Sequence, residues 1–404
     1  MLYTMMNRNK KILDFEYNSE YNAFLGIVKR YDLTYAPLTF ITHQENLEKE
    51  FYRWLQDRKI PPLRDNLKYL LESLKQRETT ETMISGYGLS LSDQYWFKPN
   101  CEEVDWKTIN YFDNHYNSYQ FMEATFGYQL DSNSQYDDSK TNYTPNMSTN
   151  GQLSKCWIKQ NEQNLLFKGA NTIYRFEPIC EVIASQLCSI LEVPYVPYKC
   201  TMLEGKKSTT LVSVCPTMIQ SHQEFIPAYQ ILNESLDKKT NTPQDYYLYL
   251  DILNKHHVPH AKEYLQKMVM LDFILANEDR HLGNFGVIRN LDTMQWESIC
   301  PIFDTGRGLN TNVSSDYWDD EVVDMKFFSS DFITSDIVKD YFDLSIEHNQ
   351  IDKMLKVVDM FEKLLIRYQG CLTLTMDDIH CLIHTFKKRI HLFEQIMLEK
   401  KLLL

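Results

Sequence analysis

A chain of 404 residues, 43% hydrophobic and 24% charged, is long enough for two or three cores and has the balance of a soluble globular protein. That composition excludes collagen-like, coiled-coil and disordered chains. A formal charge of −13 argues against broad coating of nucleic acid, which needs a basic face, although DNA contact through a local patch or a partner stays open.

Residues 1–13 are interrupted by Asn7, Arg8, Asn9, Lys10 and Lys11, and no apolar run of about 18 residues follows. No signal peptide, no membrane contact and a cytoplasmic location are therefore expected. The nine cysteines are odd in number and include no C-x-x-C pair, so free, mostly buried thiols are expected.

In chain order, residues 1–127 read as a mostly helical region of unknown role. Apolar residues from Phe51 to Leu74 fall near helical spacing, broken by Pro61 and Pro62. Residues 129–151 are polar with almost no aliphatics, a functional loop or disorder. Two short apolar runs, Lys155 to Ile158 and Asn164 to Lys168, read as a hairpin. Glu177 and Pro178 open a helix whose apolar stripe is Ile179, Val182, Ile183, Leu187, Ile190 and Leu191. Val193 to Met202 and Thr209 to Val214 read as strands, giving a small sheet with one helix on it, within a unit of residues 128–215. From 216 to 404 the pattern is helical, with helices over 261–276, 351–368 and 376–400 and a stretch rich in Asp and aromatics over 314–343.

The chemistry concentrates where the 261–276 helix runs into a polar loop holding Asp279, Arg280, His281 and Asn284. Downstream come Pro301, Asp304 and Gly306. Phosphoryl transfer needs a carboxylate to orient the nucleophile and oxygen ligands to hold magnesium on the phosphates. Asp279 and Asn284 stand five apart, the interval between base and metal ligand in the protein-kinase catalytic loop, and Asp304 takes the place of the metal-binding Asp that follows it.

Asn277, Asp279, Arg280, His281 and Asn284, followed by Pro301, Asp304 and Gly306, resemble the motif of the HipA family of serine/threonine kinases. The resemblance implies an α+β, two-lobed protein-kinase-like fold that uses ATP and magnesium. Ser148, Gly151 and Lys155 are similar to the family's phosphate loop, S-x-x-G-x-x-x-K. By that resemblance Ser148 is a site of inhibitory autophosphorylation, and Lys168 is the ATP-contacting lysine. The resemblance covers about 145–310 well, the last hundred residues loosely and the first 120 vaguely.

Plainer readings stand beside these. Asp279 could serve a turn. Lys159 competes with Lys168, and Glu177 with Glu181 for the role of its carboxylate partner. Ser148 sits in a loop where serine is ordinary. The histidines at 256, 257, 260, 380 and 384 lack the Glu or Cys companions of a zinc site and read as surface or packing residues.

The reading is thus a phosphotransferase with Asp279 as base and Asn284 and Asp304 on magnesium. Lys168, fixed by Glu181, and backbone amides near Asn150, Gly151 and Gln152 would hold phosphate. The resemblance implies a Ser or Thr acceptor on a protein, a toxin role and, since no helix-turn-helix module adjoins, a separate antitoxin. A small-molecule or lipid kinase is one alternative. A nucleotide-binding pseudokinase acting as a regulatory binding module is another.

Overall fold

Three antiparallel strands open the chain where helix was expected. The computed structural model describes residues 1–116, 118–126, 143–204, 209–233, 244–311, 313–314, 318, 326–327, 329–333, 338–339 and 342–404. Strands β1 (Leu2–Asn7), β2 (Lys10–Asn18), β3 (Ala23–Arg30) and β4 (Tyr95–Pro99) form one antiparallel sheet in the order β3-β2-β1-β4.

At β1 and β4 this sheet is buried on both faces, which hides the alternation that marks a strand, while the edge strand β3 stays partly exposed. Met5 faces the helices α1 (Leu38–Thr42) and α2 (Leu47–Arg58), where Phe15 meets Phe51 and Phe97 edge-on at 5.0 and 5.1 Å. Its neighbour Met6 faces a second cluster with Trp96, Trp106 and Tyr111. The region is helical only after residue 38, with α3 (Leu67–Leu74), α4 (Thr79–Ser85), α5 (Trp106–Ile109) and α6 (Tyr119–Phe126). The break expected at Pro61 and Pro62 falls between α2 and α3.

The small lobe is a second four-stranded sheet, β5 (Lys155–Gln160), β6 (Gln163–Lys168), β7 (Lys199–Glu204) and β8 (Thr209–Pro216), in the order β5-β6-β8-β7. Helix α7 (Glu177–Ile190) packs against it, burying Ile179, Ile183 and Leu187 as its stripe predicts. The stretch expected as strand from Val193 begins only at Lys199. Residues before it instead pair with the approach to Asp304, Val196 N–H donating to Ile302 O at 2.9 Å and Ile302 N–H to Pro194 O at 2.8 Å.

The large lobe has a three-stranded sheet, β9 (Gln223–Pro227), β10 (Gly286–Asn290) and β11 (Trp296–Ile299), ordered β11-β10-β9. Helices α8 (Ala228–Leu232), α9 (Gln244–Lys255) and α10 (Ala261–Leu275) belong with it. From Met268 to Leu275, α10 is buried all round, as befits the centre of a large core. Helices α11 (His348–Tyr368) and α12 (Met376–Glu399) close that core near their expected bounds.

Most of the polar stretch expected over 129–151 lies outside the described residues; 143–151 are described, with a single 3-10 turn at Pro145–Met147. Much of the Asp-rich 314–343 stretch likewise lies outside them. All nine cysteines are free thiols, and Cys156, Cys180, Cys188, Cys215 and Cys300 are buried. Among the described residues no helix is long and apolar enough to cross a membrane.

Candidate active site

Lys168 ends β6 with its side chain 6% exposed, and Glu181, one turn into α7, is 1% exposed. Lys168 Nζ donates to Glu181 Oε1 at 2.7 Å and also to Asp304 Oδ1. Glu181 Oε2 accepts from both the N–H and the hydroxyl of Thr305, at 2.9 and 3.1 Å. One lysine and one glutamate therefore join the small lobe to the residues around Asp304. Gly306 eases this closeness, because a Cβ there would lie a tight 3.3 Å from Glu177 Cβ and from Glu181 Oε1.

The rivals do other work. Lys159 Nζ donates to the carbonyls of Phe112 and Asn114, at 2.7 and 3.2 Å, and anchors the segment before α6. Glu177 Oε1 accepts the N–H groups of Asn171 and Thr172, at 2.9 and 2.8 Å, and shapes the turn before α7.

The second half of the site is built on Asp272, inside α10. The helix stops at Ala276, whose φ of 49° is left-handed and unfavourable for a residue with a Cβ. Asn277 then returns, its Nδ2 donating to Asp272 Oδ1 at 2.8 Å. Arg280 binds both oxygens of Asp272 and uses its remaining nitrogen on the carbonyls of Asn284 and Phe303, at 3.0 and 2.8 Å. The loop carrying Asn284 and the segment carrying Asp304 thus meet at a single guanidinium nitrogen.

Asn284 Nδ2 donates to Asp279 O at 2.9 Å, which leaves its side-chain oxygen as the atom able to face a cation. His281 is exposed and its Nδ1 accepts the Gly283 N–H at 3.0 Å, so it folds the loop. His256 stacks on Trp296 at 3.8 Å, and His260 sits 3.7 Å from Glu263, a surface pair.

Charge is unevenly distributed. Burial pushes Asp304 up, but the Lys168 and Lys155 cations outweigh it and hold the carboxyl well below the usual range. Burial and then the Asp304 carboxylate push Asp279 up. Lys168 would be lowered by burial, yet Asp304 and Glu181 raise it. Lys155 falls to about 7, through burial and the neighbouring Arg64 and Lys168 cations.

The expected phosphate loop lies beside this charge. Ser148 is 5% exposed and its hydroxyl donates to Leu89 O, so it is not presented to solvent in this conformation. Gly151 has φ of 94°, and a Cβ there would lie 2.2 Å from Lys155 Nζ, so only glycine lets that ammonium sit against the loop. Asn150 and Gln152 are exposed, and Asn150 Oδ1 accepts the Gly151 N–H at 2.6 Å.

These groups fit a magnesium nucleotide. The Asp304 carboxylate makes Asp279 harder to ionise, a cost that a divalent cation beside them would relieve. Among the described residues there is no cluster of three His, Cys, Asp or Glu able to hold a metal unaided. Magnesium takes one or two protein oxygens and completes its shell with water and phosphate, and Asn284 and Asp304 could supply two such oxygens. Lys155, Lys168 and the loop amides supply the positive surface a polyphosphate needs.

Asp272, Lys155 and Arg64 were not assigned roles from sequence. Lys155 was legible as part of the loop motif; Asp272, inside an apolar helix, is a polar residue that burial requires to be paired.

No family model matches the chain, and no curated protein matches it. Among solved structures it is similar to the HipA, HipB and operator DNA complex of the Shewanella oneidensis MR-1 toxin–antitoxin system. That match has 13% identity and a TM-score of 0.49, and it covers 98% of this chain and 96% of that one. It is also similar to the Helicobacter pylori proinflammatory kinase CtkA, at 16% identity and a TM-score of 0.45, over 61% of this chain and 95% of that one.

Proposed function

We propose that this chain is an ATP- and magnesium-dependent phosphotransferase whose acceptor is a Ser or Thr hydroxyl on a protein. The observation that carries the reading is Lys168, shared between Glu181 of the small lobe and Asp304 in the segment after β11. A lysine held this way is a preset cation for non-transferred phosphates.

Asn284 and Asp304 would hold the magnesium, which neutralises phosphate charge when bound. Asp279 takes or orients the hydroxyl proton as the acceptor oxygen bonds to phosphorus and ADP leaves. Its raised pKa makes it a stronger base than an ordinary carboxylate. The amides of Asn150, Gly151 and Gln152 would face phosphate oxygens. Ser148, as an autophosphorylation site, would first have to leave its bond to Leu89. The resemblance to the HipA family extends the proposal to a toxin restrained by a separate antitoxin protein.

Purified protein is incubated with γ-labelled ATP, magnesium and cell lysate, beside the Asp304→Ala variant. Labelled protein bands that vanish with Asp304→Ala support the proposal. Label found only in small molecules or lipids assigns a different acceptor. ATP binding without transfer makes the chain a nucleotide-binding regulator.

A further inference from the structure

The loop from Ser148 to Gln152 is stapled from outside the kinase lobes. Ser148 Oγ donates to Leu89 O, and Asp65 N–H donates to Gln152 O at 2.9 Å. Between them Arg64 donates to three successive carbonyls, reaching Gly151 O at 2.6 Å, Asn150 O at 3.1 Å and Thr149 O. Every one of these anchors comes from the N-terminal region.

Arg64 is 7% exposed, and its partners among the described residues are carbonyl oxygens, not carboxylates. The Asp65 carboxylate favours its charge but makes no salt bridge with it, and a guanidinium buried without an ion pair is costly if it only staples a loop. Its geometry has a second effect. In a trans peptide the C=O and N–H point in opposite directions. The carbonyls of Thr149, Asn150 and Gly151 share peptide planes with the N–H groups of Asn150, Gly151 and Gln152. Drawing those carbonyls to one guanidinium turns the amides away from it together, which is how a backbone nest for anions forms.

The loop bears the marks of such a nest. The Gly151 N–H already meets an oxygen, Asn150 Oδ1 at 2.6 Å. The N–H groups of Asn150 and Gln152 have no partner among the described residues. Lys155 Nζ lies against Gly151, next to Arg64 and Lys168 in the same positive field.

We infer that Arg64 is a positioning residue for the nucleotide's phosphates, and that the N-terminal region belongs to the nucleotide site by holding the phosphate loop in shape. The inference rests on the nucleotide reading above. Arg64 acts through the loop backbone, turning the amides of residues 150–152 outward.

The test is equilibrium titration of the full chain with ATP–magnesium and, separately, with adenosine, for wild type, Arg64→Met and Arg64→Lys. Arg64→Met is expected to weaken ATP binding about tenfold or more and to leave adenosine binding unchanged. Arg64→Lys keeps the charge but cannot span three carbonyls, so it recovers part of the loss; it decides the matter if Arg64→Met does not fold. ATP affinity within about twofold of wild type in the decisive variant, or equal weakening of ATP and adenosine, overturns the inference and leaves the nucleotide reading standing. A wild-type protein that binds no ATP overturns both.

Discussion

Arg280 and Asp272 form an ion pair with both side chains fully buried, Nε and a terminal nitrogen lying 2.9 and 3.0 Å from the two carboxylate oxygens. The guanidinium nitrogen left over holds Asn284 O and Phe303 O, so this pair sets how far the loop carrying Asp279 and Asn284 stands from Asp304.

Removing Arg280 strands a buried carboxylate. Arg280→Met is expected to cost about 3–5 kcal/mol, the penalty of an uncompensated buried charge. Chemical denaturation measures it. A loss below about 1 kcal/mol means that the pair is not the keystone of the loop.

Asp279 separates chemistry from stability. Its folded pKa is raised, so the stability it contributes is present at low pH and lost as pH rises through that value. At neutral pH its charge is a cost. Asp279→Asn is therefore expected to raise Tm at pH 7 while lowering phosphate transfer by about 10²–10⁴-fold. A fall in Tm, or transfer within about tenfold of wild type, contradicts the assignment.

Lys168 neutralises two carboxylates. In Lys168→Met, Glu181 and Asp304 are left facing one another in a buried site, which favours their protonated forms. Stability of the variant should then fall as pH rises from about 5 to 8. The wild type should not share that slope, because its Asp304 is depressed and loses its contribution only at acid pH. Parallel melting curves against pH decide; equal slopes refute the shared ion pair.

Much of the candidate site could be proposed because phosphoryl-transfer chemistry fixes residue types at short spacings: Asp279, Asn284 and Asp304 were singled out by spacing and by the resemblance to the HipA motif, and the structure brings the Asn284 and Phe303 carbonyls to one Arg280 nitrogen. Lys168 and Glu181 each had a rival, and only the tertiary placement of Lys159 and Glu177 removes them. The opening sheet was misread because Met5 and Met6 point into different cores, so β1 carries no period of two. Arg64 was invisible for a related reason. Its role depends on carbonyls more than 80 residues away, and a lone arginine after Pro61 and Pro62 reads as an ordinary surface loop.

Lys155 sits at about 7 because burial, Arg64 and Lys168 outweigh Asp304 and Glu181. A bound polyphosphate raises it again, so nucleotide binding should take up about half a proton at pH 7, and affinity should fall as pH rises from about 6 to 8. Calorimetry in buffers of different ionisation enthalpy reads this directly. The uptake should vanish in Lys155→Met; uptake unchanged in that variant assigns the proton elsewhere.

The most direct test of the whole account is ATP affinity with and without magnesium, compared between wild type and Asp304→Asn. The account predicts that magnesium tightens ATP binding to the wild type and that Asp304→Asn abolishes this dependence. A wild type that binds no ATP, or a variant with the full magnesium effect, contradicts it.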